Sequence, residues 1–278
     1  MVQQFLRPAS PAEAVAFRKD TGGPFLAGGT DLNYRDSSKA MTVVSLAALP
    51  LRFLRTDGPV IELGPTVTLQ ELADHTALGP VGLEVLRLAA SQVGNRSIRN
   101  LATLGGSLGA NKSHGDVIPP LIVLGGTVSL VTDGGEQEMT VEHYVAAPPA
   151  GALIVAVRVP RPDSALQVAL QRFSRSASDF AVVNAALAVR VVAGKLAEPR
   201  LALGGVASTV VRVPEAEAVL AGAGVDQDLA GLLDRFSEAV AANITPLADG
   251  RGSASFRADL AVTLARRALV TCTTEKGG

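Results

Sequence analysis

The sequence has almost no cysteine, and this limits the chemistry open to it. Cys272 is the single cysteine in 278 residues, so the chain forms no internal disulfide bond. An iron–sulfur cluster usually needs four cysteine ligands, so this chain cannot hold one by itself. The three histidines do not stand at metal-ligand spacing. We therefore expect no metal site, and any redox group bound here should be organic.

The chain also carries little net charge and has no long uninterrupted apolar run. The formal net charge is -1, and aromatic residues make up 4% of the chain, with no basic stripe of the kind that binds nucleic acid. The most apolar stretch, residues 180–193, is interrupted by Asn184 and Arg190 and is too short to span a bilayer. The N-terminus lacks a charged segment followed by an apolar one. These features predict a cytoplasmic protein without nucleic-acid or membrane partners.

Apolar residues and glycine are abundant. A hydrophobic content of 47% over this length suffices for two domains. Gly28-Gly29 lies in the first glycine turn, which we define as residues 26–32. Gly105-Gly106 lies in the second glycine segment, residues 98–111. Because glycine has no Cβ, its main-chain N–H groups can approach a diphosphate closely, so both pairs predict nucleotide binding.

Polar residues beside the glycines support this interpretation. Thr30 and Asp31 can cap a helix start, whose N–H groups and positive dipole end favour a diphosphate. Asp116 follows Gly106 by ten positions and is suited to accept hydrogen bonds from ribose hydroxyls. Its alternative role is to cap the helix that carries Pro119. The two roles can coexist.

Two other nucleotide motifs fit poorly. Residues 106–113 miss the P-loop pattern only at Asn111, but a P-loop needs a helix that starts at its Lys-Ser pair. Here His114-Gly115 and Pro119-Pro120 would break such a helix within two turns. The G-x-G-x-x-G pattern of a nicotinamide-binding Rossmann unit is absent.

Capping and periodicity signals predict a mixed α and β chain. The predicted helices cover residues 10–20, 68–75, 80–91, 215–220, 228–242 and 255–270, with a short helix at Pro119-Pro120. The predicted strands cover residues 24–27, 41–46, 61–63, 127–132, 153–159, 166–174, 180–192 and 199–206. Prolines around residues 161–164 favour a domain boundary there. We predict one domain over residues 1–160, with lobes of about 1–55 and 56–160, and a second over residues 165–278.

Four segments, in order, resemble the FAD-binding medium subunit of the molybdenum hydroxylases, the family of xanthine dehydrogenase, carbon monoxide dehydrogenase and aldehyde oxidoreductase. They are the first glycine turn, the second glycine segment, residues 172–175 with 179–186, and the pair 203–207 and 251–257. The resemblance implies an α+β fold. It consists of a two-lobed FAD-binding domain of the PCMH type, then a C-terminal domain of the carbon monoxide dehydrogenase flavoprotein type, with an antiparallel sheet and helices.

The resemblance also implies the residues that contact FAD. The pyrophosphate is assigned to the first glycine turn, at Leu26, Ala27, Gly28, Gly29, Thr30 and Asp31. The second glycine segment contributes Thr103, Gly105, Gly106 and Ser107, and Asp116 is assigned to the ribose. Ile154 matches a strand position whose backbone contacts the cofactor, although a core role is equally expected. Arg172 stands where some relatives have a lysine near the flavin or phosphates.

The sequence departs from the family around the expected flavin. Lys112 and His114 replace the usual small residues and proline. A cation here would raise the reduction potential of the flavin, and the alternative is that both are solvated loop residues. The loop between His143 and Leu153 is shorter than usual, so access to the flavin should differ.

The resemblance implies an FAD-binding electron-transfer subunit of a molybdenum hydroxylase. Electrons would pass from a molybdopterin large subunit, through clusters on an iron–sulfur small subunit, to this FAD and then to an acceptor. The alternative is a stand-alone FAD-dependent oxidoreductase that oxidises a small organic substrate directly, which the short loop and His114 favour. Under either hypothesis, Asp116→Ala should weaken FAD binding while the fold survives.

Overall fold

The computed structural model describes residues 2–32, 41–79, 82–224 and 228–274. The first lobe is a parallel sheet with strand order β1-β3-β2, covered by one helix. Its elements are β1 (Val2–Leu6), α1 (Pro11–Thr21), β2 (Phe25–Leu26) and β3 (Met41–Ser45). Ser10 caps α1 by accepting a hydrogen bond from the N–H of Glu13, and Gly22 ends the helix in the left-handed conformation. The chain leaves β2 directly into the first glycine turn.

The second lobe is a five-stranded antiparallel sheet with order β4-β5-β8-β6-β7. Its strands are β4 (Leu54–Arg55), β5 (Val60–Leu63), β6 (Thr127–Thr132), β7 (Gly135–Thr140) and β8 (Leu153–Pro160). Its helices are α2 (Leu69–Asp74), α3 (Glu84–Ser91), α4 (Arg96–Arg99), α5 (Leu104–Ala110), α6 (Ile118–Val123) and α7 (Val141–Ala146). The capping box of Thr68 and Glu71 is present at α2. Predicted helix 80–91 begins at Glu84, and its first two residues lie outside the described ranges.

The C-terminal domain is an antiparallel sheet of order β12-β11-β10-β9 with helices on one face. Its elements are β9 (Leu166–Phe173), β10 (Val183–Val192), β11 (Lys195–Gly204), β12 (Val211–Arg212), α8 (Pro214–Leu220), α9 (Leu229–Ala242) and α10 (Ala254–Thr274). Two strand predictions are displaced. β10 begins after Phe180, and β11 begins before Pro199 because Ala193 and Gly194 form the positive-φ turn that joins the two strands.

The two domains share an apolar layer. Ala186, Ala188 and Ala202, on β10 and β11, are buried in the same core as helix α6 of the N-terminal domain. The other face of β10 packs against α10. Burial on both faces explains why residues 185–189 of β10 are all apolar rather than alternately apolar and polar. The contact also brings the loop before β10 close to His114, whose ring meets that of Phe180.

Candidate flavin site

A cavity of about 950 Å³ lies where the two lobes meet the C-terminal domain. Most residues that the sequence assigned to the cofactor lie on its wall: Ala27, Gly28, Gly29, Thr30, Asp31, Thr103, Gly105, Gly106, Ser107, Lys112, His114, Asp116 and Ile154. Leu26 and Arg172 are outside the wall. Leu26 belongs to β2 and pairs with Ser45. Arg172 lies behind Asp116.

The first glycine turn places Gly28, Gly29 and Thr30 on the cavity wall. Among the described residues, no hydrogen bond uses the N–H groups of Gly28, Gly29 and Thr30. Gly29 has a φ of 73°, which few other residues adopt. A Cβ at Gly28 would overlap the carbonyl oxygen of Leu101 and lie 2.5 Å from its carbon. The two glycine segments are therefore in direct contact, and the N–H groups of the first remain available to a ligand.

The second glycine segment is helical around its glycines, and its N–H groups differ from those of the first glycine turn. Its glycines lie in helix α5, which Thr103 caps. The N–H of Gly105 donates to the carbonyl of Pro65 at 2.8 Å, and that of Gly106 donates to Thr103 Oγ1 at 3.0 Å. Donation from these two N–H groups to a phosphate is therefore not supported. The glycines permit close packing instead, because a Cβ at Gly105 would lie 2.5 Å from that of Pro65.

The bounds of helix α5 confirm that residues 106–113 do not form a P-loop. Helix α5 begins at Leu104 and ends at Ala110, before the Lys112-Ser113 pair. Asn111 ends it in the left-handed conformation, with a φ of 45°. A P-loop lysine would instead stand at the start of a helix. Lys112 follows the end of one.

Asp116 is buried and held by two side chains. Its Oδ1 accepts hydrogen bonds from Arg172 Nε at 3.0 Å and from Asn184 Nδ2 at 2.9 Å. Burial raises the pKa of the Asp116 carboxyl, while Arg172 and Asn184 oppose that rise by stabilising the carboxylate. The helix-cap role is wrong, because α6 is preceded by Val117 and has no side-chain cap. The ribose role stays a prediction.

His114 and Lys112 differ in charge. Burial, followed by repulsion from Arg251 and Lys112, lowers the pKa of His114 to about 4. The imidazole is therefore neutral at pH 7, so of these two residues only Lys112 can supply the cation suggested by the sequence. Its ring makes an edge contact with Phe180 at 4.8 Å between centroids. Lys112 follows the second glycine segment directly. Its Nζ pairs with Asp31 Oδ1 at 3.3 Å, which links it to the first glycine turn. His114 is thus a partly buried wall residue rather than a solvated one.

Comparison with known proteins now identifies the chain. Residues 1–162 match the family model described as the FAD binding domain in molybdopterin dehydrogenase. Residues 168–272 match the CO dehydrogenase flavoprotein C-terminal domain. The chain belongs to this flavoprotein family. The cofactor of its N-terminal domain is FAD, and the α+β fold predicted from the sequence is confirmed.

Similar proteins span nearly the whole of this flavoprotein. The nicotine 6-hydroxylase medium subunit of Paenarthrobacter nicotinovorans is 28% identical, with 96% of each chain covered. The carbon monoxide dehydrogenase medium chain of Afipia carboxidovorans is 29% identical, covering 95% of this chain and 94% of its own. The structure of reconstituted CO dehydrogenase from Oligotropha carboxidovorans superimposes with a TM-score of 0.88 at 26% identity, over 97% of each chain.

Several wall residues of this flavoprotein were not predicted as site residues. They are Arg18, Val93, Gly94, Asn95, Tyr144, Ser178, Asp179 and Phe180, with residues 148–152. Tyr144 lies in α7, so part of the loop predicted after His143 is helical. Phe180 was assigned to a strand because its neighbours are apolar. The only sequence signal that Phe180 lies in a loop was the polar stretch before it, which is typical of a loop.

The described ranges give no support for a metal or a membrane span. No group of three or more histidine, cysteine or acidic residues within them is arranged to hold a metal ion. None of the helices described is both long and apolar enough to cross a membrane.

His114 should make stability depend on pH. Its pKa is about 4 in the folded protein against 6.5 ordinarily, so the unfolded chain binds more protons between these values. Stability should be full above about pH 6.5 and fall as the pH drops toward 4. After discounting for the exposed part of the ring, we expect a loss of roughly 1 kcal/mol from pH 7 to 5, or about 2–4 °C in Tm. Melting curves should show a smaller loss in His114→Phe, and an unchanged loss would contradict this assignment.

Proposed function

We propose that this chain is the FAD-binding electron-transfer subunit of a molybdenum hydroxylase, receiving electrons from iron–sulfur clusters and passing them to an acceptor. The N–H groups of Gly28, Gly29 and Thr30, for which the described residues supply no hydrogen-bond acceptor, belong to a turn that shares a cavity with the buried carboxylate of Asp116, and this observation carries the proposal. These groups suit the pyrophosphate and ribose of a dinucleotide.

The residues of this site bind and orient, and none needs to act as acid, base or nucleophile. FAD, when bound, supplies the ability to take electrons singly and release them in pairs. The first glycine turn holds the pyrophosphate through main-chain N–H groups. Asp116, fixed by Arg172 and Asn184, accepts hydrogen bonds from ribose hydroxyls. His114 and Phe180 exclude water from the wall beside them.

The proposed partners are an iron–sulfur small subunit and a molybdopterin large subunit. Relatives of this chain are named as medium chains or subunits of larger enzymes, which supports a division of labour. The single cysteine, Cys272, is buried in the C-terminal domain, so clusters must belong to another chain. Location in the cytoplasm stays a prediction from the sequence.

A stand-alone flavoenzyme is the second candidate. Residues 146–151 are small and without polar side chains, and part of this segment borders the cavity. Such a segment would let a small organic molecule approach. His114, neutral at pH 7, is chemically able to accept a proton from a substrate.

We expect the purified chain to be yellow and to release FAD, not FMN, on denaturation. Under anaerobic conditions, a reduced artificial dye should bleach the bound flavin. Aldehydes, purines and aromatic heterocycles should not do so, because substrate chemistry belongs to another subunit. The measurement is flavin absorbance after mixing, with chromatographic identification of the released cofactor. The matched control is the same mixture with free FAD, which corrects for direct reaction with the dye.

Two results would change the proposal. A colourless chain that FAD cannot reconstitute would remove its central claim. Rapid bleaching by an organic substrate, with no other protein present, would establish the stand-alone flavoenzyme. His114→Asn would then be the first variant to test for loss of that reaction.

A further inference from the structure

Arg172 makes three directed hydrogen bonds although it is almost completely buried. It lies in β9 opposite Asn184 of β10, and its side chain is 8% exposed. Its Nε donates to Asp116 Oδ1 at 3.0 Å. Its Nη1 donates to Ser174 Oγ at 2.6 Å, and its Nη2 donates to the carbonyl of Asp179 at 2.5 Å. All three nitrogens of the guanidinium are engaged by protein atoms.

The partners of Arg172 belong to two parts of the cavity wall. Asp116 follows the second glycine segment. Ser174 and Asp179 belong to what we call the rim segment, residues 174–180, of which residues 178–180 line the cavity. Ser174 Oγ donates in turn to the carbonyl of Ser176 at 2.8 Å. One planar side chain therefore joins both domains beside the cavity while staying outside its wall.

A lysine cannot replace this arrangement. Its ammonium is a single point on a flexible stem, whereas guanidinium donors are fixed in a planar fork that can satisfy partners in three directions. The exposed ion pair of Arg175 with Asp179 does not substitute for it, because such surface pairs contribute little.

We infer that Arg172 is a positioning residue that contacts no flavin atom. It holds the Asp116 carboxylate in the orientation that binds the ribose, and it fixes the rim segment along the cavity. The first of these two roles rests on the proposed function, and the second does not. The inference differs from what the family resemblance implied, which was direct contact between this side chain and the cofactor.

The test compares Arg172→Lys with Arg190→Lys, an arginine at the far end of the same sheet that pairs with Asp163 and Glu198. Hydrogen exchange of residues 174–180 is measured in the FAD-free chains, and FAD affinity is measured by fluorescence titration. In Arg172→Lys we expect the rim segment to exchange about tenfold faster and the dissociation constant for FAD to rise about tenfold, as for the loss of one or two hydrogen bonds. Arg190→Lys should change neither by more than about twofold.

Lysine keeps the charge, so this variant should fold, and unchanged exchange in β10 will verify it. Unchanged exchange of the rim segment would overturn the inference, whether or not FAD affinity falls. Faster exchange of the rim segment with unchanged FAD affinity would show that Arg172 does not orient Asp116 for the cofactor. If the chain binds no FAD at all, the proposed function fails, and the exchange measurement still decides whether Arg172 holds the rim segment.

Discussion

Replacement of Gly28 by alanine should abolish tight FAD binding. The added Cβ would overlap the Leu101 carbonyl oxygen, with the carbonyl carbon at 2.5 Å and the N of Ala102 at 3.2 Å. These are backbone atoms, so they cannot rotate away as a flexible side chain would. The first glycine turn would have to move off the second lobe, which displaces the N–H groups proposed to hold the pyrophosphate. We expect affinity to fall by about a hundredfold or more, since overpacking alone costs about 1–3 kcal/mol.

Gly250→Ala is the matched control. This glycine lies in the turn between Asp249 and Gly252, outside the cavity wall, and a Cβ there would meet nothing within 4 Å. Its φ is not positive, so alanine fits its backbone, and this variant should bind FAD normally and melt as the parent chain does. Fluorescence titration with FAD and thermal melting distinguish the two variants. Normal FAD affinity in Gly28→Ala would show that the two glycine segments need not touch for binding.

Local signals made most of the fold predictable. The caps at Ser10 and Thr68 specify helices α1 and α2 through bonds that span three residues. Strand β6 was predicted with its observed bounds, because apolar and β-branched residues end at the Asp133-Gly134 turn. Strand β7 was missed. Its residues are polar and almost all exposed, as suits the edge of a sheet, and only pairing with β6 makes them a strand.

The site was less predictable, because it depends on contacts between distant residues. The Gly-Gly pairs look equivalent in sequence. Within the described ranges no hydrogen bond uses the N–H groups of Gly28 and Gly29, whereas that of Gly106 donates to the nearby Thr103 and that of Gly105 donates to the distant Pro65. The contact with Pro65 has no local signal in the sequence. Likewise, Arg172 and Asp116 are 56 positions apart, so no sequence window contains the pair.

Asp116→Ala should destabilise the fold as well as weaken FAD binding. From the sequence alone, the fold was expected to survive. In the structure, however, Asp116 is the only carboxylate that Arg172 contacts among the described residues. Its removal leaves a buried guanidinium without its counter-charge, which costs about 3–5 kcal/mol. We expect a lower free energy of unfolding by that amount, measured by urea denaturation of the FAD-free chain.

The double variant Arg172→Met/Asp116→Leu separates the effect of Asp116 on stability from its effect on FAD binding. Apolar groups replace both charges. Much of the stability should return, because replacing a whole buried ion pair by apolar groups is often neutral or stabilising. The ribose would still lack its acceptor. FAD binding should therefore stay about 1–3 kcal/mol weaker than in the parent chain. If FAD affinity recovers together with stability, Asp116 acts only as the partner of Arg172, and the ribose must be held by other groups. If stability does not recover, the hydrogen bonds of Asp116 with Asn184 and of Arg172 with Ser174, rather than the ion pair, supply the stability that is lost.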